Sequence, residues 1–212
     1  MYKAYDSLIE KARRKEKSNR AFSLFFGVVI LLVVTIYIFT NYILISVYVD
    51  GESMSPTLSD GNVLFANKNM VAEAGDIIVI DGEKESQDGK GYDWLIKRAI
   101  VVGQKGKTLY VKIEAGKVWV GENEQEFEIL EETYLPEQTI TTYVGTNPYW
   151  EVKEGEIFYL GDNRENSKDS RYSAYGTCKT SQVVGVVPDW ALSMREFSRF
   201  IFDVGQFLSS LF

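Results

Sequence analysis

The chain has 212 residues, a formal net charge of -7, one cysteine and no histidine. The missing imidazole excludes a Ser-His-Asp triad, a Cys-His dyad and any zinc site that needs histidine, and the single thiol, Cys178, excludes an internal disulfide. Residues 1–20 carry seven cations and three acids, a net +4, so the remainder carries -11. An acidic remainder argues against nucleic acid as a partner, because binding phosphates needs clustered Lys and Arg.

The first predicted element is a membrane anchor. From Ala21 to Val49 the chain has 29 residues without Asp, Glu, Lys or Arg, more than the ~20 that span a bilayer as a helix. We expect a tail at 1–21 and a transmembrane helix at 22–40, in preference to a buried core helix. The uncharged run is too long for a cleaved secretory signal, and no small-x-small cleavage site follows it. The cationic tail predicts a cytoplasmic N-terminus, a single pass through the cell membrane and an extracellular domain.

The region 41–189 is predicted to be one extracytoplasmic domain rich in β-strands. Short β-branched runs separated by turn residues indicate strands within 60–68, 75–82, 94–103, 155–171 and 182–188. Residues 108–122 alternate apolar and polar side chains around a turn at 114–116, which predicts a hairpin. Residues 123–139 are acidic and predict a solvated excursion. Because strands and helices do not alternate, the predicted fold class is mainly β, an antiparallel sheet or barrel-like domain.

The last segment, 190–212, changes to helical periodicity. Asp189 is predicted to cap an amphipathic helix that begins near Trp190. Its apolar residues share one face: Phe197, Phe200, Ile201, Val204, Phe207, Leu208 and Leu211. Two alternatives stay open for that face, packing on the sheet and lying in the membrane interface.

Without histidine, a catalytic serine needs another base, and a lysine can serve if it is neutral. An exposed ammonium has a pKa near ~10.4 and must be desolvated to approach neutrality. Among the fifteen lysines, Lys97 in WLIKRAIVVG has the most apolar sequence around it, and Lys112 in LYVKIEAG is the competitor. Ser53 follows the uncharged run directly, although spacing alone would make it an ordinary turn residue before Pro56.

The motifs in this domain are similar to those of bacterial type I signal peptidases. The string Ser53-Met54-Ser55-Pro56-Thr57-Leu58 after a membrane anchor resembles their nucleophile box. A GD strand at 75–79, the pair Lys97-Arg98 and the string GDNRENSKDSR at 161–171 follow in the family's order. A single anchor and a small outer domain resemble the Gram-positive forms. The lysine at 97 excludes the eukaryotic-type branch, in which histidine stands there.

The resemblance implies a serine endopeptidase that removes signal peptides from exported preproteins, with no cofactor and no metal. Ser53 would be the nucleophile, Lys97 the neutral general base, and Ser167 a hydrogen-bond partner that orients the lysine. The oxyanion would bind the Ser53 N–H; some relatives add a hydroxyl two residues earlier, which Gly51 lacks. Asp169 and Arg171 would form a supporting ion pair. Asp162 and Arg164 would shape the same loop, and we assign them no more than turn chemistry.

The chain departs from the family pattern in two turns. Residues 99–104 lack the expected Pro and Asp, and Gly61-Asn62 replaces a GD. The alternatives to a general signal peptidase are a non-catalytic pilus or surface-protein assembly factor on the same fold, and a processing enzyme dedicated to one client. Since both Ser53 and Lys97 are present, we favour activity.

Overall fold

The computed structural model describes residues 2–85, 92–194 and 199–200. The chain forms two compact units, Met1–Ile43 and Leu44–Phe212. The first unit is one helix, α1 (Tyr2–Ile38), which continues into a π-helical turn at Phe39–Ile43. Within the part of the chain that the structure describes, Arg13–Ile38 is the one helix long and apolar enough to cross a membrane, judged by length and composition. Helix α1 therefore covers both the predicted tail and most of the predicted anchor.

The second unit is built from eleven strands in the described part of the chain. They are β1 (Leu44–Tyr48), β2 (Val63–Asn67), β3 (Ile77–Glu85), β4 (Tyr92–Val102), β5 (Leu109–Glu114), β6 (Lys117–Gly121), β7 (Glu128–Ile129), β8 (Tyr149–Val152), β9 (Glu156–Leu160), β10 (Cys178–Lys179) and β11 (Val183–Val187). A larger sheet has the order β1-β2-β11-β3-β4-β9-β10, and a smaller one the order β7-β6-β5-β8. Every described strand pair is antiparallel. The predicted mainly antiparallel β fold is confirmed.

The predicted hairpin around residues 114–116 is also confirmed, since β5 pairs with β6 from Tyr110↔Gly121 to Glu114↔Lys117. Its turn places Ala115 at φ 50° and Gly116 at φ 78°, the left-handed region that tight hairpin turns need.

The prediction that the acidic segment 123–139 is a solvated excursion is wrong in part. The Glu132 side chain is only 10% exposed and pairs with the buried Arg164, because a buried guanidinium requires a carboxylate partner.

The C-terminal segment begins with a short helix, α2 (Asp189–Ser193). The predicted cap was wrong by one residue: Pro188, in an extended conformation at φ -73° and ψ 153°, is the N-cap, and Asp189 is the first helical residue. Proline fits that position because its ring fixes φ near this value. Ala191 is buried in the core, and Trp190 packs near Phe65 of β2. The amphipathic pattern falls almost entirely on residues 195–198 and 201–212, outside the described residues.

One apolar cluster of the larger sheet supports the segment that contains Ser53. Met54 and Leu58 are 1% and 0% exposed, and they pack in this cluster with Val47, Ile77 and Ile96. Because Met54 and Leu58 of this turn are buried in the core, their packing holds the turn between β1 and β2 against the sheet.

Candidate active site

Ser53 lies half-buried in the turn between β1 and β2. The Leu58 N–H donates to the Met54 carbonyl at 2.9 Å, and Gly51, with φ 89°, donates its N–H to Asp60 Oδ1 at 2.8 Å. Among the hydrogen bonds of the described residues, none has the Ser53 N–H as its donor. That amide is therefore available to a ligand at the serine.

Lys97 is placed by the register of the larger sheet. It lies on β4, directly opposite Ile78 of β3, and is only 4% exposed. Its neighbours along β4, Ile96 and Arg98, are also buried. Strand β4 lies between β3 and β9 and pairs with both. Lys97 is therefore on an interior strand of the sheet and not on an edge strand.

The structure brings Ser53 and Lys97 together. Lys97 Nζ donates to Ser53 Oγ at 2.6 Å and to the Ile96 carbonyl at 3.0 Å. Burial lowers the pKa of Lys97 to about 8, although the carboxylates of Asp169 and Asp162 oppose the shift. A lysine with that pKa is neutral in a substantial fraction of molecules near pH 8, and its lone pair can then accept the serine proton.

The competing lysine, Lys112, has a different environment. It lies on β5 in the smaller sheet, donates to Glu114 at 3.0 Å, and has its ammonium over the rings of Trp119 and Phe127. Among the described residues, its hydrogen-bond partner is thus Glu114, and no hydrogen bond joins it to a serine. The geometry therefore favours Lys97 as the base.

The loop 161–171 packs directly against the serine turn. Asn163 donates its backbone N–H to the Ser53 carbonyl at 3.1 Å and its side-chain Nδ2 to the Glu52 carbonyl at 3.0 Å. A Cβ on Gly161 would overlap the Ser53 carbonyl oxygen and Ser167 Oγ. Asn163 thus clamps the backbone of the serine turn, and glycine is needed at 161 for the loop to approach it.

Asp169 and Arg171 form a buried, two-point ion pair. Arg171 Nε contacts Asp169 Oδ1 at 2.8 Å and its second nitrogen contacts Oδ2 at 2.9 Å. Asp169 also accepts the Gly161 N–H at 3.0 Å, and Arg171 donates to the Arg164 carbonyl at 2.7 Å. The pair therefore crosslinks both ends of the loop.

Ser167 differs from the expectation. Its side chain is 6% exposed, and among the described residues Ser167 Oγ has no hydrogen-bond partner, Lys97 included. The hydroxyl faces the Cα of Gly161, beside the Ser53 carbonyl. Among the described residues, the Ser167 hydroxyl is thus a buried donor without an acceptor, next to the Ser53–Lys97 pair. A buried donor without an acceptor destabilises the fold, and a group that accepts its hydrogen bond during function would remove that cost.

Asp162 and Arg164 have larger roles than turn chemistry. Asp162 accepts two bonds from Arg98, at 2.9 and 2.6 Å, and the guanidinium of Arg98 lies 3.7 Å from the ring centre of Tyr134. Arg164 pairs with Glu132 and donates to Thr141 Oγ1 at 2.7 Å.

Sequence reasoning missed Glu132, Tyr134 and Asn163. Nothing in the local sequence distinguishes Glu132 from its neighbour Glu131. The arginines that Glu132 and Tyr134 contact, Arg164 and Arg98, lie far along the chain. For Asn163 the signal was present, because it stands inside the GDNR string that carries the resemblance.

A cavity of about 440 Å³ opens beside Ser53 and Lys97. It is bounded by the strand end and serine turn at 48–54, the β4 residues 94–97, Asn166 and Lys168 of the loop 161–171, and Tyr175. The cavity thus gives a ligand access to both the serine and the lysine.

Comparisons of the sequence relate this chain to a known protein family. The family described as "Signal peptidase, peptidase S26" matches residues 20–190. The chain is 31% identical over 186 residues to signal peptidase I of Bacillus caldolyticus, covering 82% of this chain and 91% of that one. It is 32% identical over 184 residues to signal peptidase I T of Bacillus subtilis, strain 168, covering 81% and 85%. A signal peptidase I of Streptococcus pneumoniae is 29% identical over 171 residues, covering 66% and 78%.

Proposed function

This chain belongs to the signal peptidase I family of serine endopeptidases, and on that premise we propose that it cleaves preproteins with Ser53 as nucleophile and Lys97 as general base. The observation that carries the proposal is the 2.6 Å contact between Lys97 Nζ and Ser53 Oγ. Burial of the lysine, which lowers its pKa to about 8, supplies the neutral amine that the reaction needs.

The reaction begins when Ser53 gives its proton to the neutral Lys97 amine as Ser53 Oγ attacks the scissile carbonyl. The carbonyl oxygen becomes an oxyanion, which the Ser53 N–H stabilises by a hydrogen bond. Collapse of this intermediate breaks the C–N bond, and the ammonium of Lys97 protonates the leaving amine. Water then attacks the acyl-serine while the neutral Lys97 amine takes its proton. Collapse of this second intermediate breaks the bond between Ser53 Oγ and the acyl carbon, and the ammonium of Lys97 returns its proton to Ser53 Oγ, which restores the serine and the neutral lysine.

The loop 161–171 supports this pair. The clamp from Asn163 fixes the serine turn, and the Asp169–Arg171 ion pair fixes the loop that carries Asn163 and Ser167. When Ser53 becomes acylated, Lys97 loses its hydroxyl partner. We assign to Ser167 the role of orienting the lysine amine at that stage, because its hydroxyl is buried and unpaired beside Ser53.

The apolar helix α1 anchors the enzyme in the bilayer that holds its substrate. The proposed arrangement has the cationic N-terminal end in the cytoplasm, the helix in the lipid and the β-sheet domain outside the cell. Tethering both partners to one membrane raises the effective concentration of the cleavage site at Ser53. The groove beside Ser53 would select small side chains, and the acidic outer domain gives no reason to expect nucleic acid as a partner.

The activity is tested by incubating the full chain in phospholipid vesicles with several unrelated exported preproteins. We expect each preprotein to lose its signal peptide after a small residue, measured by mass spectrometry of the new N-terminus. Intact preproteins throughout would favour a non-catalytic assembly factor, which the comparisons do not support. Cleavage of one preprotein and no others would indicate a dedicated processing enzyme.

The orientation is tested with right-side-out membrane vesicles and an external protease. We expect digestion from outside to remove the epitope of a tag placed after residue 212 and to leave a tag before residue 1 intact, because the positive-inside rule puts the cationic tail in the cytoplasm. The same vesicles turned inside out are the control and should give the reverse pattern. Protection of the C-terminal tag in right-side-out vesicles would contradict the proposed topology.

A further inference from the structure

A second cavity, of about 950 Å³, lies between the smaller sheet and the end of β4; we call it the β7 cavity. Its lining includes the end of β4 at 100–102 and the segments 120–123 and 125–131 of the smaller sheet. The volume is at the upper end of the ~300–1,000 Å³ that ligand pockets usually have. No residue lines both this cavity and the one beside Ser53, so the β7 cavity is separate from the catalytic pair.

The β7 cavity follows an extended stretch of chain. Seven consecutive residues, 125–131, line it, and at ~3.3 Å per residue an extended segment of that length spans up to roughly 23 Å. Glu128 and Ile129 of β7 both line the cavity, although successive side chains of a strand point to opposite faces. The cavity therefore reaches the edge of β7, and its length suits an extended polypeptide better than a compact ligand.

That edge of β7 is open to another strand. Among the described strands, β7 is the last of the smaller sheet and pairs only with β6. The Leu130 N–H donates to the Val118 carbonyl of β6 at 2.9 Å. Because the N–H groups of consecutive residues in a strand point to opposite sides, the Ile129 N–H points away from β6. An unpaired strand edge is a template on which an extended peptide can add a further strand.

The floor of the β7 cavity is apolar. Part of its lining belongs to the core cluster beneath the smaller sheet or packs against that cluster: Ile100, Val101, Leu109, Val120 and Leu130. Aliphatic side chains of a bound segment would gain free energy when they cover this surface, because their contact removes apolar area from water on both sides.

The rim of the β7 cavity is acidic. Four exposed glutamates line it, and among the described residues its lining contains no lysine or arginine: Glu122, Glu126, Glu128 and Glu131. Glu122 pairs with Lys107, and Glu126 accepts a hydrogen bond from Asn123. Within the described part of the chain, the side chains of Glu128 and Glu131 have no such partner. The rim therefore complements a cationic ligand, whereas the floor complements an aliphatic one.

We propose that the β7 cavity docks an extended segment of a partner protein in which Lys or Arg alternates with aliphatic residues, added as a strand beside β7. Alternation puts the aliphatic residues on one face, toward the floor, and the cations on the other, within reach of the rim. A second copy of this chain would fit poorly, because pairing two β7 edges would place Glu128 and Glu131 against the same carboxylates. The proposal does not depend on the peptidase activity.

The test measures fluorescence anisotropy of a fluorescein-labelled peptide of four Lys-Val repeats, titrated with the full-length protein in a nonionic detergent. We expect the Kd to be about tenfold lower than for four Glu-Val repeats, and than for a block peptide of four Lys followed by four Val. Binding should weaken in about 1 M NaCl, where the Debye length is about 3 Å. Equal affinity for the alternating and block peptides, or for spermine, would overturn an alternating strand.

Charge reversal assigns the binding to the β7 cavity. The double variant Glu128→Lys with Glu131→Lys should raise the Kd of the Lys-Val peptide about tenfold or more and lower that of the Glu-Val peptide. Glu124→Lys with Glu137→Lys is the matched control, since both residues are exposed, lie outside the lining and change the net charge equally. An equal loss in the two double variants would show non-specific attraction to an acidic domain and would contradict the site.

A second probe tests the strand addition itself. N-methylation of alternate residues removes the N–H groups along one edge of the peptide, so we expect methylation of either the Lys set or the Val set to raise the Kd about tenfold. Unchanged binding by both methylated peptides would exclude pairing with the β7 edge. Sedimentation of the full-length protein should show a monomer. A dimer that Glu128→Lys disperses would mean that a second copy occupies the cavity, contrary to the proposal.

Discussion

Replacing Lys97 by Met is expected to lower kcat for signal-peptide cleavage by about 10²–10⁴-fold, the usual contribution of a general base. Methionine keeps the length and apolar stem of lysine but cannot take the proton from Ser53. Ser53→Ala should lose activity to at least the same extent, because it removes the nucleophile. Since the two side chains act as one unit, the double variant should be no slower than the slower single variant. Initial rates with a purified preprotein measure all three.

The folded state of Lys97→Met should be at least as stable as the unmodified protein, because the lysine is 4% exposed and an apolar side chain there removes a desolvated amine. Thermal unfolding therefore shows whether a variant has lost activity because it lacks the base or because it is unfolded. Lys112→Met is the matched control: it removes a lysine of the smaller sheet that pairs with Glu114, and we expect normal kcat. Full activity in Lys97→Met, or an equal loss in Lys112→Met, would exclude Lys97 as the base.

Replacing Asp169 by Ala is expected to destabilise the fold by about 3–5 kcal/mol, the usual cost of leaving one partner of a buried ion pair unpaired. The side chains of Asp169 and Arg171 are 0% and 2% exposed, so water cannot replace the lost carboxylate. The same change removes the acceptor of the Gly161 N–H and should loosen the loop that clamps Ser53. Urea unfolding followed by circular dichroism measures the change in free energy.

The control for Asp169 is an ion pair exposed at the surface. Lys107 and Glu122 are 52% and 72% exposed in their pair, so Glu122→Ala should cost less than about 1 kcal/mol. If Asp169→Ala unfolded at the same urea concentration as Glu122→Ala, the buried pair would not hold the loop.

Much of this molecule could be predicted from the sequence because the relevant signals are local. The β-branched runs that became β3 and β4, and the alternation around Ala115, follow from side-chain packing within a few residues. The absence of histidine limits the possible general bases, because a nucleophilic serine in this chain needs a base other than imidazole. An apolar strand was therefore the place to seek a lysine, and Lys97 lies 2.6 Å from Ser53. Its catalytic role stays a prediction.

The partners of the buried arginines could not be predicted, because they depend on contacts far apart in sequence. Arg98 and Asp162 are 64 residues apart, and Glu132 and Arg164 are 32 apart. An acidic stretch is usually solvated, and only the folded chain shows that Glu132 meets a buried guanidinium. The orientation of Ser167 Oγ is also a tertiary property, because it depends on how closely the loop approaches Gly161.

The most direct measurement for a buried, neutral lysine is the pH dependence of kcat/KM for a peptide substrate without ionisable groups. Burial lowers the pKa of Lys97 to about 8, and only the deprotonated amine can accept the Ser53 proton. The account predicts that kcat/KM rises tenfold per pH unit below about pH 8 and reaches a plateau above it. A flat profile from pH 6 to 9, or a rise centred near the ordinary lysine value of ~10.4, would contradict a lysine base activated by burial.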